Sequence, residues 1–387
     1  MKIKIDHNNR RRRPVSQDAV YHQLDQGERR LIAAAAATPV RRPWIARERA
    51  AIIRIARECL GVHERFIPEI QISASGVKPS SGVKVEHLVA WSWPGCMATA
   101  HLYRPCRPAQ KTWPLVILCC GHGAGGKQCE GYQRMAWRLA RMGAAVLVPD
   151  NIGQGERVPM GHRNAIGPFR CGLSMQGLII METIGWLRWA QNDGRFDCRR
   201  IAACGNSGGG TLTLFLAAFC RDDLAALSSS GYPSSFEFVA RKEKFLCSCN
   251  VLPGLVGQIE MWQLYGCFAP KPLFLFQGLY DNLFPADIFH ATSHKVARAY
   301  RQHRAALAFH ARIFEGQHSW DEPRRMALAE FLADKLDLPT RRVNISSFKD
   351  APGNCLEQWP RQAVTTDAIA AHLTGIPLQP NDELYKV

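Results

Sequence analysis

The chain has 387 residues, 47% of them hydrophobic and 21% charged, and its 49 Lys and Arg against 33 Asp and Glu give a formal charge of +16. That apolar content is ample for a large core and excludes an intrinsically disordered chain. No stretch approaches the roughly 20 apolar residues of a membrane span, since the longest candidate, GLIIMETIGWLRWA, is interrupted by Glu182 and Arg188.

Residues 1–16 are polar and hold the one dense basic run, Arg10 to Arg13. With no aromatic residues interleaved to stack on bases, the run reads as a disordered, solvated arm, and no nucleic-acid partner is expected. The stretch lacks the apolar segment of a secretory signal, so the expected location is cytoplasmic. Residues 17–79 are predicted to form an N-terminal helical extension, with Ser16 and Pro43 as start signals and Gly61 as a stop. Residues 83–104 alternate apolar and polar side chains around Pro94-Gly95, the pattern of a hairpin.

From residue 114 the pattern changes. Continuous apolar runs (PLVILCC, AAVLVPD, RIAACG, LAALSSSG, PLFLFQG and LAFHARIF) alternate with helical stretches such as GYQRMAWRLARMG and ADIFHATSHKVARAYRQH. Uninterrupted apolar strands joined by helices predict an α/β domain, a mostly parallel central sheet with helices on both faces. Its expected span is 80–337, with a long connection at 232–268 read as a cap or lid. A Pro-rich, polar tail at 338–387 carries one short helical piece, TTDAIAAHL.

The 14 cysteines follow no regular spacing, and several sit inside the apolar strands as small buried hydrophobes. Cys247 and Cys249 make a C-x-C pair, but no second Cys/His pair has zinc-ligand spacing, so no metal is expected.

Three loops carry chemistry. Gly205-Asn206-Ser207-Gly208-Gly209 follows the strand RIAAC and precedes the helix TLTLFLAAF. A G-x-S-x-G string in that setting puts a serine on a sharp strand-to-helix turn, where its hydroxyl is presented beyond the sheet and glycines permit the bend. A serine hydroxyl needs a base, and the base an orienting acid. Asp281 follows PLFLFQG, and His318 follows LAFHARIF. Both loops leave the carboxyl ends of parallel strands, where open α/β sheets bind ligands. His318 is therefore the expected base and Asp281 the acid that fixes its tautomer.

The loop Gly121-His122-Gly123-Ala124-Gly125-Gly126-Lys127, straight after PLVILCC, can supply backbone N–H donors to an oxyanion. One donor is expected from Gly208 and the other from Gly123 or Ala124. His122 either lines the site or braces the loop. Trp262 and Trp320 either form an apolar, sugar-stacking wall or pack in the core. The same loop satisfies G-x-G-x-x-G, and Asp150 ends the next strand, so a nicotinamide-dependent oxidoreductase is the competing enzyme reading. A catalytically silent binding protein on the same fold is the third.

The strings GHGAGGK, DNIGQGER, GNSGGGTLT, CNVLPGL and FQGLYDNLFP, over roughly residues 80–337, resemble the α/β-hydrolase superfamily, and within it bacterial acetyl xylan esterase-like and dienelactone hydrolase-like proteins. The resemblance implies an α/β-hydrolase fold with a cap, a serine esterase working through an acyl-enzyme, a small carboxylic ester as substrate and no cofactor. Dienelactone hydrolases use a cysteine nucleophile, so Ser207 favours an esterase. No membrane partner is expected, and a homo-oligomer is left open.

Overall fold

Apolar runs become strands here because each successive side chain enters one of two cores. In β4 (Trp113–Cys119), Leu115, Ile117 and Cys119 belong to one buried cluster, and Val116 and Leu118 to the other. The period of two that defines a strand thus reads as a continuous hydrophobic run when both faces are covered. The computed structural model describes residues 48–377, apart from 81, 107–110, 164, 242–246, 253, 341–342, 346–347, 349–352 and 361–362. The basic arm, Ser16, Pro43 and the first part of the expected helical extension lie outside the described residues.

One nine-stranded sheet runs in the order β1-β2-β3-β5-β4-β6-β7-β8-β9. Its remaining strands are β1 (Gln71–Ser80), β2 (Val83–Trp91), β3 (Met97–Pro105), β5 (Ala145–Pro149), β6 (Phe196–Asn206), β7 (Ala226–Ser230), β8 (Leu273–Gly278) and β9 (Phe309–Phe314). β1 to β3 form antiparallel ladders, and β3 joins β5 antiparallel. From β5 through β4 to β9 every pairing is parallel.

Helices cover both faces. α1 (Arg49–Leu60) packs on one side and α2 (Glu130–Met142) on the other, against β3 and β5. The first side also takes α3 (Met175–Asn192), α4 (Gly208–Phe219), α5 (Met261–Cys267) and α6 (Ala286–Gln302). The second side takes α7 (Glu322–Lys335). α1 ends where the sequence places a stop: Gly61 adopts φ 67°, and the N–H groups of Gly61 and Val62 bond to Glu58 and Arg57 carbonyls. No helix among the described residues is long and apolar enough to cross a membrane.

Two segments depart from the expected elements. Residues 71–79, expected in the helical extension, lie in β1. As an edge strand it pairs only with β2 and leaves most of its side chains exposed, so no apolar alternation marks it. In the 232–268 connection, whose apolar stretch LVGQIEMWQLYG reads from the sequence as a helical piece, the helix runs only over Met261–Cys267. Glu260 sets its start. Its carboxylate accepts from the N–H groups of Phe236, Glu237 and Met261, and Gln263 returns a bond to the Glu260 N–H. Of its described residues, Cys247, Leu255, Ile259 and Leu264 lie inside the first core.

The tail folds back on the domain. α8 (Thr366–Thr374) is capped by Thr365, buries Ile369 and Ala370, and bonds the Gly167 N–H through Asp367 at 2.8 Å. Just before it, the Cys355 and Leu356 N–H groups donate to Glu156 at 2.8 and 2.9 Å.

Candidate active site

β6 ends at Asn206 and α4 begins at Gly208, so Ser207 alone must turn the chain. It does so at φ 57°, ψ −119°, a conformation that side-chain-bearing residues rarely adopt. The turn closes only because its neighbours lack Cβ atoms. A Cβ on Gly209 would lie 2.0 Å from the Cys119 carbonyl oxygen, and one on Gly205 would lie 2.4 Å from the Gly209 carbonyl oxygen. The Ser207 N–H is held by the Ser230 carbonyl at 2.9 Å.

The structure brings Ser207, His318 and Asp281 together. His318 Nε2 is 2.9 Å from Ser207 Oγ, and His318 Nδ1 is 2.7 Å from Asp281 Oδ2. The acid is buried and held from all sides: Oδ1 accepts from the Leu283 and Phe284 N–H groups at 2.9 Å each, and Oδ2 also accepts from Gln277 Nε2 at 2.7 Å. A carboxylate so held cannot rotate away from the imidazole. The His318 side chain stays 17% exposed, and Ser207 is half-buried. Phe284 flanks its ring, with centroids 5.8 Å apart.

Sequence reasoning did not single out Gly231, Gln277 or Tyr132. Gly231, at φ 58°, makes room for the His318 ring, since a Cβ there would come within 3.1 Å of His318 Cε1 and 3.2 Å of the Ser207 nitrogen. The Tyr132 hydroxyl accepts from the Gly121 N–H at 2.6 Å and so anchors the Gly-rich turn. Gly231 and Tyr132 are visible only once distant loops meet.

The turn 121–126 lies against the elbow. A Cβ on Gly121 would lie 3.1 Å from Ser207 Cβ, and one on Gly208 would lie 2.6 Å from His122 Nδ1, so the His122 ring packs directly on Gly208. Gly123 is half-buried and Ala124 exposed on this turn, whose closing bond runs from the Gly126 N–H to the Gly123 carbonyl at 3.0 Å.

Asp150 is not placed to meet a ribose. It is buried, and both oxygens are engaged: Oδ1 by the Lys127 N–H at 2.8 Å, Oδ2 by Thr99 Oγ1 at 3.0 Å and by the Lys127 ammonium. A Cβ on Gly126 would lie 2.2 Å from Asp150 Oδ1, so the glycine serves this contact rather than a pyrophosphate. Lys127 also pairs with Glu156. Burial opposes the Lys127 charge, but the neighbouring carboxylates outweigh it and raise its pKa. Burial likewise acts against the Glu156 carboxylate, yet Lys127 and the tail N–H groups hold it below its ordinary range. A second buried pair lies behind, where Glu182 receives both Arg157 terminal nitrogens at 2.6 and 2.8 Å and Arg157 Nη1 also holds the Asp150 carbonyl at 3.0 Å. These groups brace the loop after β5.

The two tryptophans pack against different cores. Trp262 is half-buried against the first cluster. Trp320 packs against the second, its ring 5.1 Å from that of Tyr132.

No protein-family model and no curated sequence relative matches the chain. Among solved structures it is similar to a methylesterase, at 22% identity and a TM-score of 0.68, over 90% of this chain and 79% of the other. A candidate acetyl xylan esterase from Bacteroides fragilis is 13% identical with a TM-score of 0.59, over 75% and 83% of the two chains. A glucuronoyl esterase from Teredinibacter turnerae is 15% identical with a TM-score of 0.56, over 74% and 84%. At these identities the likeness establishes the fold, and the chain has the α/β-hydrolase fold.

Proposed function

We propose that this chain is a serine carboxylic ester hydrolase acting through an acyl-enzyme. The observation that carries the reading is the hydrogen-bonded file from Ser207 Oγ through the His318 ring to Asp281, at 2.9 and 2.7 Å. His318 Nε2 takes the Ser207 proton as Oγ attacks the ester carbonyl carbon. The negative charge that develops on the carbonyl oxygen is met by the Gly208 N–H and by that of Gly123 or Ala124, fixed in place before reaction. As the tetrahedral intermediate collapses, the C–O bond to the alcohol breaks and His318 returns the proton to the leaving oxygen. Water, deprotonated by the same imidazole, then attacks the acyl carbon, the bond to Ser207 Oγ breaks, His318 returns the proton to Oγ, and the acid is released. Asp281 stays ionised and stabilises the imidazolium in both halves.

The proposed substrate is a small ester, an acetylated sugar or an aromatic or lactone-like ester. The names of the similar structures, a methylesterase and acetyl xylan and glucuronoyl esterases, support small carbohydrate-borne esters as the first class to test. Segment 232–268 is the proposed cap of this site. Its Cys249 sulfur lies 3.3 Å from His122 Nε2 and so reaches the Gly-rich turn.

The test is a panel of p-nitrophenyl acetate, an acetylated sugar, a uronic acid methyl ester and an aromatic lactone. Saturable turnover of at least one, with no added nicotinamide, is expected. No turnover of any, together with saturable heat on titrating NAD or NADP, would favour the oxidoreductase instead.

A further inference from the structure

Four side chains from three separate loops converge beside the elbow without a role in the mechanism above. His122 comes from the turn after β4, His162 from the loop after β5, and Cys247 and Cys249 from the connection after β7. One ligand atom from each lies within 4.8 Å of all the others. Cys247, Cys249 and His162 are buried, and His122 is exposed at the rim.

The distances have the dimensions of a metal site. Tetrahedral zinc with Zn–N and Zn–S bonds of ordinary length separates two nitrogen ligands by about 3.3 Å, and nitrogen from sulfur by about 3.6 Å. Here His122 Nε2 is 3.3 Å from His162 Nε2 and 3.3 Å from Cys249 Sγ. The tautomer of His162 also fits. Its Nδ1–H donates to the Ile152 carbonyl at 2.7 Å, which leaves the Nε2 lone pair facing the cluster. Gln154 Nε2 lies 3.1 Å from that nitrogen and would give way to a metal. The sulfurs have outer support as well: Asn250 Nδ2 donates to Cys249 Sγ at 3.5 Å, and Ser248 Oγ donates to the His162 carbonyl, tying the C-x-C turn to the histidine loop.

We propose that His122, His162, Cys247 and Cys249 form a structural zinc site that staples the Gly-rich turn to the cap segment. Two thiolates and two neutral imidazoles suit a borderline-soft dication and leave the buried site with no net charge. On binding, the two thiols lose their protons to solvent and four metal–ligand bonds form, with no change of oxidation state. Four protein ligands close the coordination sphere, so the metal acts by holding His122 on Gly208 and not by activating water. That consequence for the oxyanion turn rests on the esterase reading, whereas metal binding does not. The expectation of a metal-free chain followed from the missing sequence spacing, because the two histidines are 40 positions apart and join the cysteines only in the fold.

The experiment is metal analysis by mass spectrometry on the full chain, purified reduced from zinc-supplemented cells. About one zinc per chain should persist through gel filtration. The Cys247→Ser/Cys249→Ser variant should lose about one zinc relative to it, and Ser207→Ala should lose none, which separates this proposal from that of the nucleophile. Should the double variant fail to fold, cobalt titration of the reduced wild-type chain decides, with intense tetrahedral ligand-field bands and sulfur-to-cobalt charge transfer expected. A reduced wild-type chain that takes up neither metal, or a folded double variant with undiminished zinc, would overturn the site.

Discussion

Replacing Ser207 with alanine should lower kcat for ester hydrolysis by about 10³- to 10⁶-fold while leaving the fold intact. In the proposed mechanism the Ser207 oxygen is the nucleophile on which His318 acts, so without it neither the acyl-enzyme nor its hydrolysis can proceed. Residual rate over water would come from the backbone N–H groups and from binding alone. The fold should survive because alanine at φ 57° is no more strained than the serine it replaces, and because the Ser207 N–H bond to Ser230 is a backbone bond. Steady-state kinetics with p-nitrophenyl acetate, alongside thermal unfolding of both proteins, measure the two parts. Activity within tenfold of the wild-type chain in a folded variant would remove Ser207 from the mechanism.

The second large effect is expected at Asp281. Asparagine there should cost about 10³- to 10⁴-fold in kcat/KM. Its amide cannot fit without conflict, since both oxygens of Asp281 receive donors: Leu283 and Phe284 N–H groups on Oδ1, Gln277 and His318 on Oδ2. An NH₂ placed toward His318 would force the opposite tautomer, with the proton on Nε2 and no lone pair for the Ser207 hydroxyl. An NH₂ placed toward the two backbone N–H groups would oppose donors to a donor. The variant should therefore lose stability by about 1–3 kcal/mol as well, the cost of buried polar groups left without partners. Kinetics and denaturant titration check both effects, and an asparagine variant of near-normal activity would contradict the assigned role of the acid.

Much of this arrangement is written in local pattern. Strands β4, β5 and β8 are apolar runs because both faces are buried, and the elbow is readable because its glycines answer a steric demand that no other residue meets. Asp281 and His318 are readable because each follows a strand that ends on the same side of a parallel sheet. What pattern does not carry is anything set by contact between distant segments. β1 is silent because an exposed edge strand needs no apolar alternation. The Gly121 to Gly126 string is ambiguous as a pattern, because the burial of Asp150 against Lys127 and Thr99 is set by the fold. Gly231 has no motif, yet it makes the space that the imidazole needs. The cluster of His122 and His162 with the two cysteines is likewise invisible to spacing, because three loops supply it.

The central claim is that the Ser207 oxygen is made nucleophilic by His318. The measurement that reaches it most directly is labelling with a fluorophosphonate, followed by peptide mapping, in the wild-type chain and in His318→Ala. A single phosphonylated residue at Ser207, formed rapidly in the wild-type chain and suppressed in the variant, is the predicted result. An unlabelled Ser207, or one labelled equally fast without the imidazole, would contradict the account and leave a protein that keeps the geometry of a hydrolase without its chemistry.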